Sequence, residues 1–156
     1  MIYQIPGSVH KLGVYQSSGY RGMILVVSPL LSLISNQWHE CQKYGVAAHY
    51  LTGSTVQLGI LGKARDAILA GKCQIVFATP EQAIKDSNVK MFQELYNLGL
   101  FSAVAIDEAH CASEWGHAFR PDYLQLRLIR QRFPRVPILA QPGCCAERRL
   151  AITRSD

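Results

Sequence analysis

Two adjacent carboxylates follow a short apolar run in the second half of the chain. The run Ala103-Val104-Ala105-Ile106 is typical of a buried strand, and Asp107 and Glu108 come directly after it. A nucleoside triphosphatase needs one carboxylate to hold Mg²⁺ against the phosphates and a second to orient and deprotonate the attacking water. We therefore assign Asp107 to the metal and Glu108 to the water. The alternative is that the pair merely caps a helix, and these two residues alone do not decide between the readings.

Aromatic and basic side chains follow the carboxylates closely. Trp115 and Phe119 offer flat faces on which nucleic-acid bases can stack, and Arg120 can bind phosphate or stack as a cation. Taken alone, the two aromatic residues would more often belong to an ordinary core. The carboxylates just before them favour the binding interpretation.

Two hydroxyl residues, each followed by proline, end other apolar runs. Ser28 precedes Pro29 after the run 24–27, and Thr79 precedes Pro80 after the run 74–78. Each pair predicts a helix start with a hydroxyl cap and proline at the first helical position, and Gln82 would complete a capping box with Thr79. Because ligands gather at the carboxyl ends of strands in open α/β sheets, both pairs are also candidate contacts.

Strand-like and helix-like segments alternate along the chain. The predicted strands are 24–27, 47–51, 74–78, 103–106 and 136–140, and the predicted helices are 29–43, 56–70, 88–98 and 122–132. Near-continuous apolar runs suit strands that are covered on both faces. The pattern predicts an α/β fold, a three-layer parallel sheet with helices on both faces.

Composition narrows the class of protein without deciding its function. The 156 residues, 49% hydrophobic and 17% charged, are typical of one globular domain. A net charge of +5 suits a polyanionic partner but is common in other proteins too. The five cysteines form no Cys-x-x-Cys pair, and no apolar stretch approaches the ~20 residues of a membrane helix. We predict an intracellular protein without a membrane segment, located in the nucleus of a eukaryote or in the cytoplasm or nucleoid of a bacterium.

The stretch that begins at the carboxylates carries a specific resemblance. Residues 107–123 read DEAHCASEWGHAFRPDY, which resembles the RecQ-type DNA helicase family (DEAH-box, superfamily 2). VVSPLLSLI at 26–34 and FATPE at 77–81 resemble further motifs of that family. The resemblance implies a RecA-like helicase lobe of the P-loop NTPase class, ATP and Mg²⁺ as cofactors, and single-stranded or partly duplex DNA as partner.

The resemblance also assigns roles to individual residues. It implies that Asp107 and Glu108 serve the ATP site, and that His110 couples nucleotide state to a neighbouring lobe, although a half-buried structural histidine is the alternative. It implies that Trp115, Phe119 and Arg120 sense single-stranded DNA. Ser28 and Thr79 are then contacts to the DNA backbone.

Two departures from the family pattern limit these expectations. The chain contains no Gly-Lys-Ser or Gly-Lys-Thr phosphate loop (Walker A), and the segment after residue 140 lacks the Thr-Ala-rich motif of the family. We therefore predict that 1–140 is a partial helicase ATP-binding domain and that 141–156 is a divergent or frayed tail. We also predict that a second RecA-like lobe is missing, to which the resemblance assigns the arginine finger of the ATP site. The parent protein would be an ATP-dependent helicase, 3′ to 5′ by resemblance, acting in DNA unwinding, recombination and repair. This chain alone would be inactive. A non-catalytic module that binds single strands and a product that does not fold stably are the alternatives.

Overall fold

A computed structural model describes residues 22–53, 66–70, 72–107 and 126–140. These residues form a five-stranded parallel sheet with the order β2-β3-β1-β4-β5. The strands are β1 Met23–Val27, β2 Ala48–Leu51, β3 Ile75–Ala78, β4 Phe101–Ile106 and β5 Ile138–Ala140. All five predicted strands are confirmed, with ends that differ by no more than two residues.

Four helices connect the strands within the described ranges. They are α1 Leu31–Lys43, α2 Pro80–Ile84, α3 Asp86–Asn97 and α4 Arg127–Arg132. Residues 66–69 are also helical and belong to the predicted helix 56–70, whose remaining residues lie mostly outside the described part. The predicted helix 122–132 is described only from residue 126 onward. No described helix has the length and apolar character that crossing a membrane would require.

The sheet has an apolar layer on each face, which confirms the predicted three-layer α/β architecture. Every residue of β1 is buried, and alternate residues belong to different core clusters: Leu25 to one, Ile24 and Val26 to the other. Ile34 of α1 packs in the cluster with Ile24, whereas Phe92 of α3 packs in the cluster with Leu25. A strand covered on both faces has no polar alternation, which is why β1 reads as a continuous apolar run.

Four aromatic rings fasten the helices of one face to β4. Phe101 of β4 lies 5.1 Å from Phe133, ring centre to ring centre, and 5.7 Å from Phe92 of α3. Tyr96 of α3 lies 5.5 Å from Phe133, which directly follows α4. Edge-on and tilted ring pairs at these distances contribute beyond the area that they bury. The cluster therefore fixes α4 against the sheet.

Helices α1 and α3 end in the same way. Gly45 and Gly99 adopt positive φ angles of 68° and 70° just beyond the two helices. The N–H of Val46 donates to the carbonyl oxygen of Cys41 at 2.9 Å, and that of Leu100 donates to Leu95 at 2.8 Å. This is the Schellman arrangement, in which glycine takes the left-handed position and the chain turns back into the next strand.

The predicted side-chain caps are wrong. Thr79 is the residue before α2 and Pro80 is its first residue, as predicted, but the Thr79 side chain makes no capping hydrogen bond. Gln82 does not complete a capping box, because its Oε1 accepts from Nδ2 of Asn88 at 3.2 Å. Helix α1 begins at Leu31 rather than at residue 29.

The reason for the late start of α1 lies in the sheet. The backbone N–H of Ser28 donates to the carbonyl oxygen of Ala78 at 3.0 Å, which continues the pairing of β1 with β3 by one residue. Ser28 is thereby held at the end of the strand and is not free to cap the helix. The predicted tail at 141–156 lies outside the described residues, so the domain boundary at residue 140 stays a prediction.

Candidate functional site

Four polar residues stand side by side where the central strands end. Val27 pairs with Ala78 and with Ile106, and Leu51 pairs with Ala78, so the strands β2, β3, β1 and β4 end in register. The next residue of each strand is polar, and in sheet order these residues are Thr52, Thr79, Ser28 and Asp107. We call these four residues the carboxyl-edge row.

Backbone hydrogen bonds fix the spacing of the row. The N–H of Asp107 donates to the carbonyl oxygen of Val27 at 2.8 Å, which places Asp107 beside Ser28. The N–H of Thr79 donates to Leu51 at 3.4 Å, which places Thr79 beside Thr52. Neighbouring strands lie about 4.8 Å apart, so each backbone in the row is about 5 Å from the next. Three residues predicted as site residues, Ser28, Thr79 and Asp107, are thus brought together.

The hydroxyl members of the row are buried. Ser28 is 0% exposed, and its Oγ has no hydrogen-bond partner in the described part of the chain. Thr52 and Thr79 are buried, and Asp107 is half-buried. A buried hydroxyl that is not hydrogen-bonded carries a desolvation cost that a bound polar group can relieve. Ser28 is therefore the member of the row whose hydroxyl would gain most from a ligand. Because Ser28 is fully buried, a ligand can reach this hydroxyl only when the residues that cover it move.

The amino end of α1 lies next to this hydroxyl. Leu30 precedes the helix without a side-chain capping bond, and the first turn contains no acidic residue. The side chains of Leu30 and Leu31 are exposed. The free N–H groups and the dipole of a helix favour an anion at its amino end. Together with the Ser28 hydroxyl, this end of the sheet suits the oxygen atoms of a phosphate.

The carboxyl-edge row offers one carboxylate for a cation. Asp107 is the acidic member of the row, and no group of three His, Cys, Asp or Glu residues capable of holding a metal occurs in 22–53, 66–70, 72–107 or 126–140. Mg²⁺ takes oxygen ligands and usually uses one or two carboxylates together with phosphate oxygens and waters. The single carboxylate of the row therefore fits Mg²⁺ that is bound together with a nucleotide, and the described residues alone do not form a metal site.

The remaining predicted site residues lie outside the described residues. They are Glu108, His110, Trp115, Phe119 and Arg120. Thr52 was missed by the sequence analysis, although the signal was available. It follows a predicted strand just as Ser28 and Thr79 do, but it lacks the proline that drew attention to the other two.

The sequence pattern of the DEAD/DEAH box helicase family matches residues 2–141. The chain belongs to that family. The parallel sheet with helices on both faces is the RecA-like lobe expected of such a helicase. The carboxyl-edge row lies at the carboxyl ends of its strands, where open α/β sheets generally bind ligands.

Several helicases to which the chain is similar are of the RecQ type. The chain is 38% identical over 126 residues to the ATP-dependent DNA helicase Q-like 2 of Arabidopsis thaliana, an overlap of 76% of this chain and 17% of that protein. It is 36% identical over 121 residues to the ATP-dependent DNA helicase RecQ of Haemophilus influenzae, covering 78% of this chain and 19% of the relative. With the RecQ-like DNA helicase BLM of Xenopus laevis it shares 33% identity over 146 residues, 90% of this chain and 10% of the relative. The recognised RecQ-type resemblance is confirmed, and the chain spans a fifth or less of these three relatives.

Proposed function

We propose that the chain is part of the motor of a RecQ-type, ATP-dependent DNA helicase, and that its carboxyl-edge row joins the ATP site to the DNA track. The observation that supports this proposal is the adjacency of Asp107 and Ser28 on neighbouring strands. A helicase motor must couple changes at the bound nucleotide to changes in its affinity for DNA. Two residues on one rigid sheet edge supply a short route between the two sites.

On the DNA side, the residues would bind the backbone rather than read bases. Ser28 and the amino end of α1 would take one phosphate, and Thr79 would take the next position along the strand, because it lies about one strand spacing away. Trp115, Phe119 and Arg120 would add base stacking and a cation. Contacts of this kind position a single strand without sequence preference, as a translocating motor requires.

On the nucleotide side, Asp107 would contribute an oxygen ligand to Mg²⁺, and Glu108 would accept a proton from the attacking water. His110 would couple this centre to a second RecA-like lobe. ATP bound to the motor would supply the bond that is hydrolysed. The 156 residues contain no Gly-Lys-Ser or Gly-Lys-Thr sequence, so they do not supply the phosphate cradle, and we expect no turnover from this chain alone.

Single-strand binding by the full chain tests the DNA side. Fluorescence anisotropy with a labelled oligothymidine would be measured for the wild type, Ser28→Ala and Ser102→Ala. Both substitutions remove a buried hydroxyl oxygen without a hydrogen-bond partner among the described residues, but Ser102 lies near the amino end of β4, at the opposite edge of the sheet. A lost hydrogen bond of about 0.5–1.5 kcal/mol would weaken binding roughly 2- to 10-fold for Ser28→Ala and leave Ser102→Ala unchanged.

Two results would contradict the proposal. One is the absence of binding by the wild type at low salt, where phosphate contacts are strongest. The other is an equal loss of affinity in both variants, since that would reflect a general effect on the fold.

A second candidate function is a non-catalytic module that binds single strands. It is favoured by the presence of Ser28 and Thr79 in a chain without a phosphate-loop sequence. Mg²⁺ and ATP added to the anisotropy assay separate the two candidates. If the affinity for oligothymidine changes when nucleotide is added, the result supports the motor. If that affinity weakens with salt but does not change with nucleotide, the result supports the module. In both cases we place the protein inside the cell, with DNA as its partner and DNA repair or recombination as its process.

A further inference from the structure

A glutamine is buried on the core-facing side of α1. Gln37 is 6% exposed, and neither its Oε1 nor its Nε2 has a hydrogen-bond partner in the described part of the chain. A side-chain amide can make up to four hydrogen bonds, and leaving them unmade in the interior is costly. Among the described residues, no hydrogen bond offsets the cost of burying this amide.

Gln37 belongs to the layer that lies behind the carboxyl-edge row. It shares the buried stripe of α1 with Ile34 and Cys41, which pack on the same face of the sheet as Ile24 and Val26. Ser28 continues the alternation of Ile24 and Val26 by one step, toward that same face. Gln37 on α1 and Ser28 at the end of β1 thus belong to the same face of the sheet. Neither side chain has a hydrogen-bond partner among the described residues.

The carboxyl-terminal half of α1 is held firmly. Nε1 of Trp38 donates to the carbonyl oxygen of Ala48 at 3.0 Å, and the Trp38 ring meets the Tyr50 ring edge-on with 5.5 Å between centroids. The left-handed Gly45 and its hydrogen bonds close the end of the helix.

The amino-terminal half of α1 is held less firmly. It lacks a side-chain cap, and Leu31, its first residue, is 59% exposed. Between Leu31 and Gln37, its one buried apolar side chain is Ile34. A helix anchored at one end and loosely held at the other can shift at its loose end by about 1–2 Å, the size typical of helix shifts at packed interfaces.

We propose that Gln37 is a positioning residue for the DNA-binding end of α1. When phosphate binds at Ser28 and the helix amino end, the loose half of α1 moves, and the Gln37 amide gains hydrogen bonds that no described residue gives it in the free protein. A buried amide without a partner among the described residues raises the free energy of the unbound arrangement. The free-energy cost of moving α1 when a ligand binds is therefore smaller. This inference rests on the proposed DNA binding at Ser28 and adds a residue that does not touch DNA.

Gln37→Met tests the proposal, because methionine has a similar length and no polar atoms. We expect the midpoint of thermal unfolding without DNA to rise by about 2–4 °C, as removal of an unpaired buried amide should stabilise a chain of this size. We expect the dissociation constant for labelled oligothymidine to rise roughly 2- to 10-fold, a range typical of residues that act through coupling. A residue with a merely structural role would not move stability and affinity in opposite directions.

Ser102→Ala is the matched control, since it also removes a buried polar atom without a partner among the described residues but lies near the amino end of β4. It should leave affinity unchanged. A lower unfolding midpoint for Gln37→Met would overturn the proposal, because it would mean that the amide is bonded in the free protein. Unchanged affinity for Gln37→Met, with Ser28→Ala still weakened, would overturn this inference and leave the proposed function standing. Failure of the wild type to bind would overturn both.

Discussion

The backbone N–H of Asp107 donates a 2.8 Å hydrogen bond to the carbonyl oxygen of Val27, so the candidate metal ligand stands beside Ser28 at the end of the sheet. The peptide group that accepts this bond is the one that joins Val27 to Ser28. A displacement of Ser28 on the proposed binding of DNA would therefore act on the same peptide group that positions Asp107. The sheet supplies a direct mechanical link between the two proposed sites, with no side chain in between.

The first prediction concerns ATP hydrolysis by the chain alone. With Mg²⁺, ATP and oligothymidine, phosphate release should not exceed the blank without protein. The chain has no Gly-Lys-Ser or Gly-Lys-Thr sequence, and the arginine finger that the resemblance assigns to a second lobe is worth about 10³–10⁵ in rate. Glu108→Gln is the control for contaminating enzymes. DNA-stimulated release that this substitution abolishes would show the prediction to be wrong.

The second prediction concerns the aromatic cluster that holds α4. Phe133 is almost fully buried and contacts Phe101 and Tyr96, so Phe133→Ala should lower the free energy of unfolding by about 3–5 kcal/mol. Leu98→Ala is the control, because Leu98 is 65% exposed and should change stability by less than about 0.5 kcal/mol. Urea denaturation followed by circular dichroism measures both. A small loss for Phe133→Ala would mean that α4 is not fastened through this ring.

The strands could be predicted from sequence because burial on two faces leaves a clear signal. β1 and β3 are buried at every residue, and each reads as an unbroken apolar run. The order of the strands could not be read in that way. β1 lies between β3 and β4, neither of which follows it directly in the chain, and this order alone brings Ser28 between Thr79 and Asp107.

Predictions from local sequence patterns were wrong where tertiary structure favoured another arrangement. Serine followed by proline is typical of a helix cap. However, the N–H of Ser28 donates to the carbonyl oxygen of Ala78, and its hydroxyl has no hydrogen-bond partner among the described residues. Gln37 shows a different conflict. Its spacing from Ile34 and Cys41 predicts the core-facing side of a helix, whereas its polarity predicts the surface, and the spacing decides. Such conflicts between local and tertiary preference often mark functional positions.

The third prediction uses the left-handed turn after α3. Gly99 has a φ of +70°, a conformation that costs an L-residue about 1–2 kcal/mol, so Gly99→Ala should destabilise the protein by about that amount. Gly53→Ala is the control, because Gly53 is outside the left-handed region and an added Cβ would meet nothing within 4 Å. The urea midpoints of the two variants should differ clearly. Equal midpoints would contradict the assignment of Gly99 to the left-handed position.

The last prediction concerns stability at alkaline pH. Cys73 is 3% exposed, and burial raises the pKa of its thiol from 9.0 to about 11. Because the pKa is higher in the folded protein than in the unfolded chain, the thiol contributes stability that is complete below about pH 9 and is lost as the pH rises toward 11. The free energy of unfolding should therefore fall over this window more steeply in the wild type than in Cys73→Val, a variant without the thiol. Other groups, such as tyrosine and lysine, titrate in the same range, but they are common to both proteins and cancel in the difference. Parallel curves for the two proteins would show that the Cys73 thiol ionises as readily in the folded state as in the unfolded chain.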